Sequence, residues 1–171
     1  MNGGGGVFAT LDDGTSLTLQ NSVLSGNFAE GSKGGGLSVY FNSGGELVIS
    51  NSVIKDNKSF DSGGGIVIEC NGLTVSPTSF TLHNSAIIGN QSGFQEFDHH
   101  IVSSTGDGGG IVVGISSRVD NVLVESTTIA QNVARYDGGG ITILGGEDGA
   151  QIVNSTVSSN RARSGGGLYM Q

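Results

Sequence analysis

Asp107 and Asp137 each stand immediately before a Gly-Gly-Gly triplet, about 30 residues apart. If the residues between them form one repeating unit, the two positions stack roughly 5 Å apart, the spacing of neighbouring strands. Carboxylates that close can raise one pKa or share a cation. A retaining glycosidase pair also needs a separation of about 5–5.5 Å. The plain alternative is a solvated acidic turn: Ser62 and Ser164 hold the same place before neighbouring triplets, so the acidic column is short.

A second candidate is the segment Glu96-Phe97-Asp98-His99-His100. Paired histidines bind zinc, and histidine beside carboxylate does acid–base work. Yet adjacent side chains diverge on an extended chain, and no HExxH or spaced Cys/His set accompanies them. A partner contact through Glu96, Asp98, His99 and His100 is the more economical role. The turns Asp12-Asp13-Gly14 and Glu147-Asp148-Gly149 leave Ca²⁺ as the one cation to consider. They fall about four units apart, near 19 Å, and cannot share an ion. Asp-Gly is also ordinary turn chemistry. No other cofactor is implied.

The elements that hold these residues repeat. Gly-Gly-Gly followed by an aliphatic residue recurs at Val7, Leu37, Ile66, Ile111, Ile141 and Leu168. Between the triplets runs a second signature: NSVLSGN ending at Asn27, NSVIKDN at Asn57, NSAIIGN at Asn90, STTIAQN at Asn132 and NSTVSSN at Asn160. Around them apolar residues alternate, as in Leu37, Val39 and Phe41 or Phe80 and Leu82. Period two marks strands with one buried face, and no stretch carries sustained helical periodicity. One short unit cannot bury its own face, whereas stacked copies form a continuous core.

The expected fold is all-β, a right-handed parallel β-helix. It should have about six coils of roughly 27–30 residues, in one domain spanning 1–171 with an inserted loop at 91–107. Asn27, Asn57, Asn90, Asn132 and Asn160 should stack at one bend. There each amide can donate to one neighbour and accept from the other. Asn57, Asn90 and Asn154 begin glycosylation sequons, and the first two are expected to be buried and closed to modification. Outward residues Phe8, Tyr40, Val67, Val112, Leu144 and Tyr169 predict a fairly apolar face on the strand after each triplet, a possible protein or carbohydrate surface.

Glycine-rich triplets alternating with an aliphatic-x-x-Asn strand resemble the repeats of the polymorphic outer membrane protein family. More broadly they are similar to right-handed parallel β-helices of the pectin-lyase-like fold. In that family the motifs are GGA before Ile, Leu or Val, and Phe-x-x-Asn. Here a third glycine replaces Ala, and Leu24, Ile54, Ile87, Ile129 and Val157 replace Phe. The resemblance implies an extracellular or cell-surface location and an adhesive role. Polysaccharide-cleaving β-helices of polygalacturonase type carry Asn-Thr-Asp, Asp-Asp, Gly-His-Gly and Arg-x-Lys; only Asp12-Asp13 matches one of these pieces.

Composition narrows the partners. The formal charge is −8, and the seven Lys and Arg are scattered along the chain, so neither nucleic acid nor an anionic membrane surface is expected as a partner. Cys70 alone excludes an internal disulfide and fits a buried core position. No apolar run is long enough to span a membrane. The opening residues show no signal peptide. The chain opens on GGGGV and closes on GGGLYMQ, both mid-repeat. That pattern predicts further coils, either of a longer chain or of another subunit stacked end to end. The leading expectation is a non-enzymatic adhesin, scaffold or fibre-forming segment. The alternatives are a polysaccharide lyase or glycoside hydrolase fragment using Asp107 and Asp137, and a carbohydrate-binding module.

Overall fold

The computed structural model describes residues 4–71, 77–93, 106–115, 119–145 and 149–171. Its described residues form a parallel β-solenoid of about five turns, close to the six coils expected. The first sheet stacks six strands: Val7–Leu11, Leu37–Phe41, Ile66–Cys70, Ile111–Ile115, Ile141–Ile143 and Leu168–Met170. The second stacks five: Ser16–Gln20, Gly45–Ser50, Thr78–His83, Asn121–Glu125 and Ala150–Val153. The third also stacks five: Val23–Ser25, Val53–Lys55, Ala86–Ile88, Thr128–Ala130 and Thr156–Ser158. Every pairing between them is parallel.

The register puts like upon like. Leu17, Leu47, Phe80, Val122 and Ala150 form one inward column. Leu24, Ile54, Ile87, Ile129 and Val157 form another. These columns merge into a single core in which Phe41, Phe80, Ile54, Ile87 and Ile129 are fully buried. Cys70 is buried in the same core.

Corners between the sheets bend each coil. Between the second and third sheets, Asn21, Asn51, Asn84, Ser126 and Asn154 adopt left-handed backbone, with φ of 48–50°. Asparagine tolerates this region better than most residues because its short side chain bonds locally. The residue that follows is Ser22, Ser52, Ser85, Thr127 or Ser155. Each hydroxyl donates to the carbonyl two residues back, as Ser52 Oγ does to Ser50 O at 2.7 Å. Four of them also accept a backbone N–H from the preceding coil, Ser22 N to Ser52 Oγ at 3.1 Å being the first.

At the corner after the third sheet, the five asparagines form a ladder. The backbone N–H and the Nδ2 of Asn90 both donate to Asn132 Oδ1, at 2.9 and 3.0 Å. Nδ2 also donates to Ile54 O at 2.9 Å. The pattern recurs from Asn27 to Asn57, Asn57 to Asn90 and Asn132 to Asn160, always in the same direction along the axis. Asn57, Asn90 and Asn132 are fully buried. No buried side-chain polar atom lacks a partner among the described residues.

The glycine triplet does three jobs. Its first residue is left-handed, as at Gly63 with φ 65° and Gly108 with φ 58°. Its second touches the next coil's backbone: a Cβ on Gly109 would sit 2.5 Å from Val133 C and O. Its third lies beside the ladder, where a Cβ on Gly65 would stand 3.1 Å from Asn90 Cγ.

The first glycine also corrects the expectation of an apolar outward face. Val67 and Val112 are fully buried, although they point away from the core. The left-handed bend folds the chain back over them, and a Cβ on Gly63 or Gly108 would collide with their Cγ2 methyls. Ser38, Glu69 and Thr142 on this face are buried too, and Glu69 holds Lys33 at 2.6 Å. Phe8 in the first coil does remain exposed.

Candidate functional site

The bend before the glycine triplets brings Ser62, Asp107, Asp137 and Ser164 into one column on successive coils. Gly63 N–H donates to Asp107 O at 2.9 Å, Gly108 N–H to Asp137 O at 2.8 Å, and Gly138 N–H to Ser164 O at 3.0 Å. The two aspartates of interest are therefore neighbours. Asp107 Oδ1 accepts the backbone N–H of Asp137 at 3.2 Å, and Asp107 N–H donates to Ser62 Oγ at 3.4 Å. Ser62 Oγ donates in turn to Asp61 Oδ1 at 3.2 Å.

Burial raises the Asp107 pKa above the ordinary carboxylate value of 3.8. The hydrogen bond from Asp137 lowers it, while the charges of Asp137 and Asp61 add to the rise. Desolvation thus leads, and the like-charge repulsion expected from stacking comes after it. Part of this carboxylate is committed to a backbone amide, as in a capped turn.

Glu96, Asp98, His99 and His100 lie outside the described residues, as do Glu147 and Asp148. At the other acidic turn, Asp12 Oδ1 accepts from Asn42 Nδ2 at 2.8 Å and from Ser43 Oγ at 3.3 Å. Asp13 and Glu46 rim a shallow depression of about 400 Å³ beside it. Among the described residues, no group of three or more His, Cys, Asp or Glu is arranged to hold a metal ion.

One constellation escaped sequence reasoning. Arg135, Arg161 and Arg163 gather on two adjacent coils just beyond the Asn ladder, and all three are exposed. Ala134 N–H donates to Arg161 O at 2.9 Å and Arg163 N–H to Tyr136 O at 2.7 Å, so Arg161 pairs with Val133 and Arg163 faces the Arg135-Tyr136 pair, where the register slips by one residue. Arg135 Cζ lies 5.5 Å from the Tyr136 ring centroid. The signal was present in the sequence: Arg135 and Arg163 each stand three residues after a ladder asparagine.

No family model, curated protein or solved structure matches the chain.

Proposed function

We propose that this chain is a non-enzymatic β-helix of the pectin-lyase-like, polymorphic outer membrane protein type. In this reading it acts outside the cell or on its surface as a stiff scaffold whose bends and loops hold a protein or carbohydrate ligand. The observation that carries this reading is the uniformity of the ladders. The Asn ladder runs from Asn27 to Asn160 without a break through the described coils. Such a rod keeps its outer residues at fixed spacing, which suits repeated contacts more than the shaped cleft that turnover needs.

A second reading, a carbohydrate-active enzyme, draws on the raised pKa of Asp107 beside Asp137. A carboxyl whose pKa is raised by burial is the starting point for a general acid. Incubation with a panel of neutral and acidic polysaccharides separates the two. The scaffold reading expects no new reducing ends and no unsaturated products. Turnover that disappears in Asp107→Asn would establish the enzyme instead.

A further inference from the structure

We infer that Arg135, Arg161 and Arg163 form a binding surface for a sulfated glycan. The assignment rests on the scaffold reading above and names its ligand. Arg163 lies on the coil next to Arg135 and faces the Arg135-Tyr136 pair, roughly one strand spacing of 4.8 Å away. Arg161 lies two residues before Arg163, within about 7 Å of it, and both are exposed. Ala162 falls between them in the column of small inward residues that includes buried Ala134.

The three side chains are exposed, and the stem of Arg135 packs against Gly93 and Gly106. Among the described residues the ion pair is Lys33–Glu69, on another part of the coil, and none of the three arginines takes part in one. Three of the seven basic residues of a chain with net charge −8 thus collect on one bend, outnumbering Asp137 beside them, with no ion pair of their own among the described residues. Like charges this close repel, and an anion that bridges them turns repulsion into attraction. Tyr136 beneath Arg135 restrains that guanidinium before any ligand arrives, which lowers the ordering cost of binding.

Guanidinium forks match the oxygens of sulfate and carboxylate groups. The spacing chooses between them. Three positive charges lie within about two strand spacings, a length of one to two sugar rings. A polyuronate offers one charge per sugar over that length, whereas a sulfated glycan offers two or more. Single-stranded nucleic acid binds by stacking bases on aromatic rings, and the local ring, Tyr136, already carries Arg135. Duplex nucleic acid or an anionic bilayer would press a broad negative surface against a chain that is itself acidic.

Immobilised heparin is the probe. The wild-type chain should be retained at physiological salt despite its net charge, and salt should elute it. Each of Arg135→Gln, Arg161→Gln and Arg163→Gln should weaken binding about tenfold, and the triple variant should flow through. Lys55→Gln, on the outer face of the third sheet, should bind as wild type. All three arginines are exposed, so unchanged circular dichroism and melting midpoints verify that the variants fold. Wild-type flow-through, or full retention of the triple variant, overturns the site. Equal binding to polygalacturonate or to single-stranded DNA overturns the choice of a sulfated glycan. Heparin cleaved while binding persists overturns the scaffold reading and leaves the site standing.

Discussion

Replacing Asn132 with leucine tests the ladder at its centre. The side chain supplies Oδ1 to Asn90 N–H at 2.9 Å and to Asn90 Nδ2 at 3.0 Å, and its own Nδ2 serves Ile87 O at 2.9 Å. Leucine leaves three groups without partners: a backbone N–H, one amide hydrogen and a carbonyl. Asn90 and Asn132 are fully buried, so water cannot take over. Each orphaned group costs about 1–3 kcal/mol. Leucine returns about 2 kcal/mol of apolar burial. The expected loss is about 4 kcal/mol, a large share of a total stability of about 5–15 kcal/mol. The ladder's direction supplies the control. Asn27 gives its amide to Asn57 Oδ1, but no described group depends on Asn27 Oδ1. Asn27→Leu should therefore cost less than about 1 kcal/mol. Asn160→Leu, at the opposite end, strands Asn132 N–H, one Asn132 amide hydrogen and Ile129 O, but Asn160 is only part-buried and water can reach some of them, so it should cost about 3 kcal/mol. Urea denaturation followed by far-UV circular dichroism measures all three. Equal losses at Asn27 and Asn160, or less than 1 kcal/mol at Asn132, would refute the directional ladder.

Other perturbations probe the bends. Asp107 has a folded pKa above its unfolded one, so the fold binds its proton more tightly. Stability from this group is present below the ordinary carboxylate range and lost as pH rises through the raised value. Asp107→Asn should raise the melting midpoint at pH 7 and leave it unchanged near pH 3; a lower midpoint at pH 7 contradicts the desolvation account. Removing Lys33 strands a carboxylate that is 6% exposed, whereas removing Glu69 leaves an ammonium that is 28% exposed and can reach water. Lys33→Met should cost about 3 kcal/mol and Glu69→Gln about 1 kcal/mol by chemical denaturation, and the reverse order would refute this. Gly109→Ala drives a Cβ into Val133 and should cost about 3 kcal/mol. Gly14→Ala, strained only by its φ of 71° in open space, should cost about 1 kcal/mol on the same scale.

The parallel coils were legible because their cause is periodic. Alternation in Leu17 and Leu19, repeated at Leu47 and Ile49 and again at Phe80 and Leu82, specifies a buried face and a stacking register together. The asparagines were legible for the same reason. The serine ladder was visible as a recurring Asn-Ser but carried no assigned role, since a hydroxyl's partners follow from the left-handed residue before it, and φ is not written in composition. Val67 reads as outward by period two and is outward; what alternation cannot show is that Gly63 folds back across it. The arginines were scattered in the sequence and close in space, since a coil brings residues about 30 apart to one strand spacing.

The Asn ladder gives the described stack an electrical polarity. Each Oδ1 faces the coil before it, from Asn160 through Asn132 and Asn90 to Asn57, and takes the Nδ2 hydrogen of the asparagine there. Amide dipoles aligned in one file add along the axis, and each hydrogen bond polarises the next. The buried edge of the rod therefore carries a line of dipoles whose oxygen end points towards the first coil and whose amide end points towards the last.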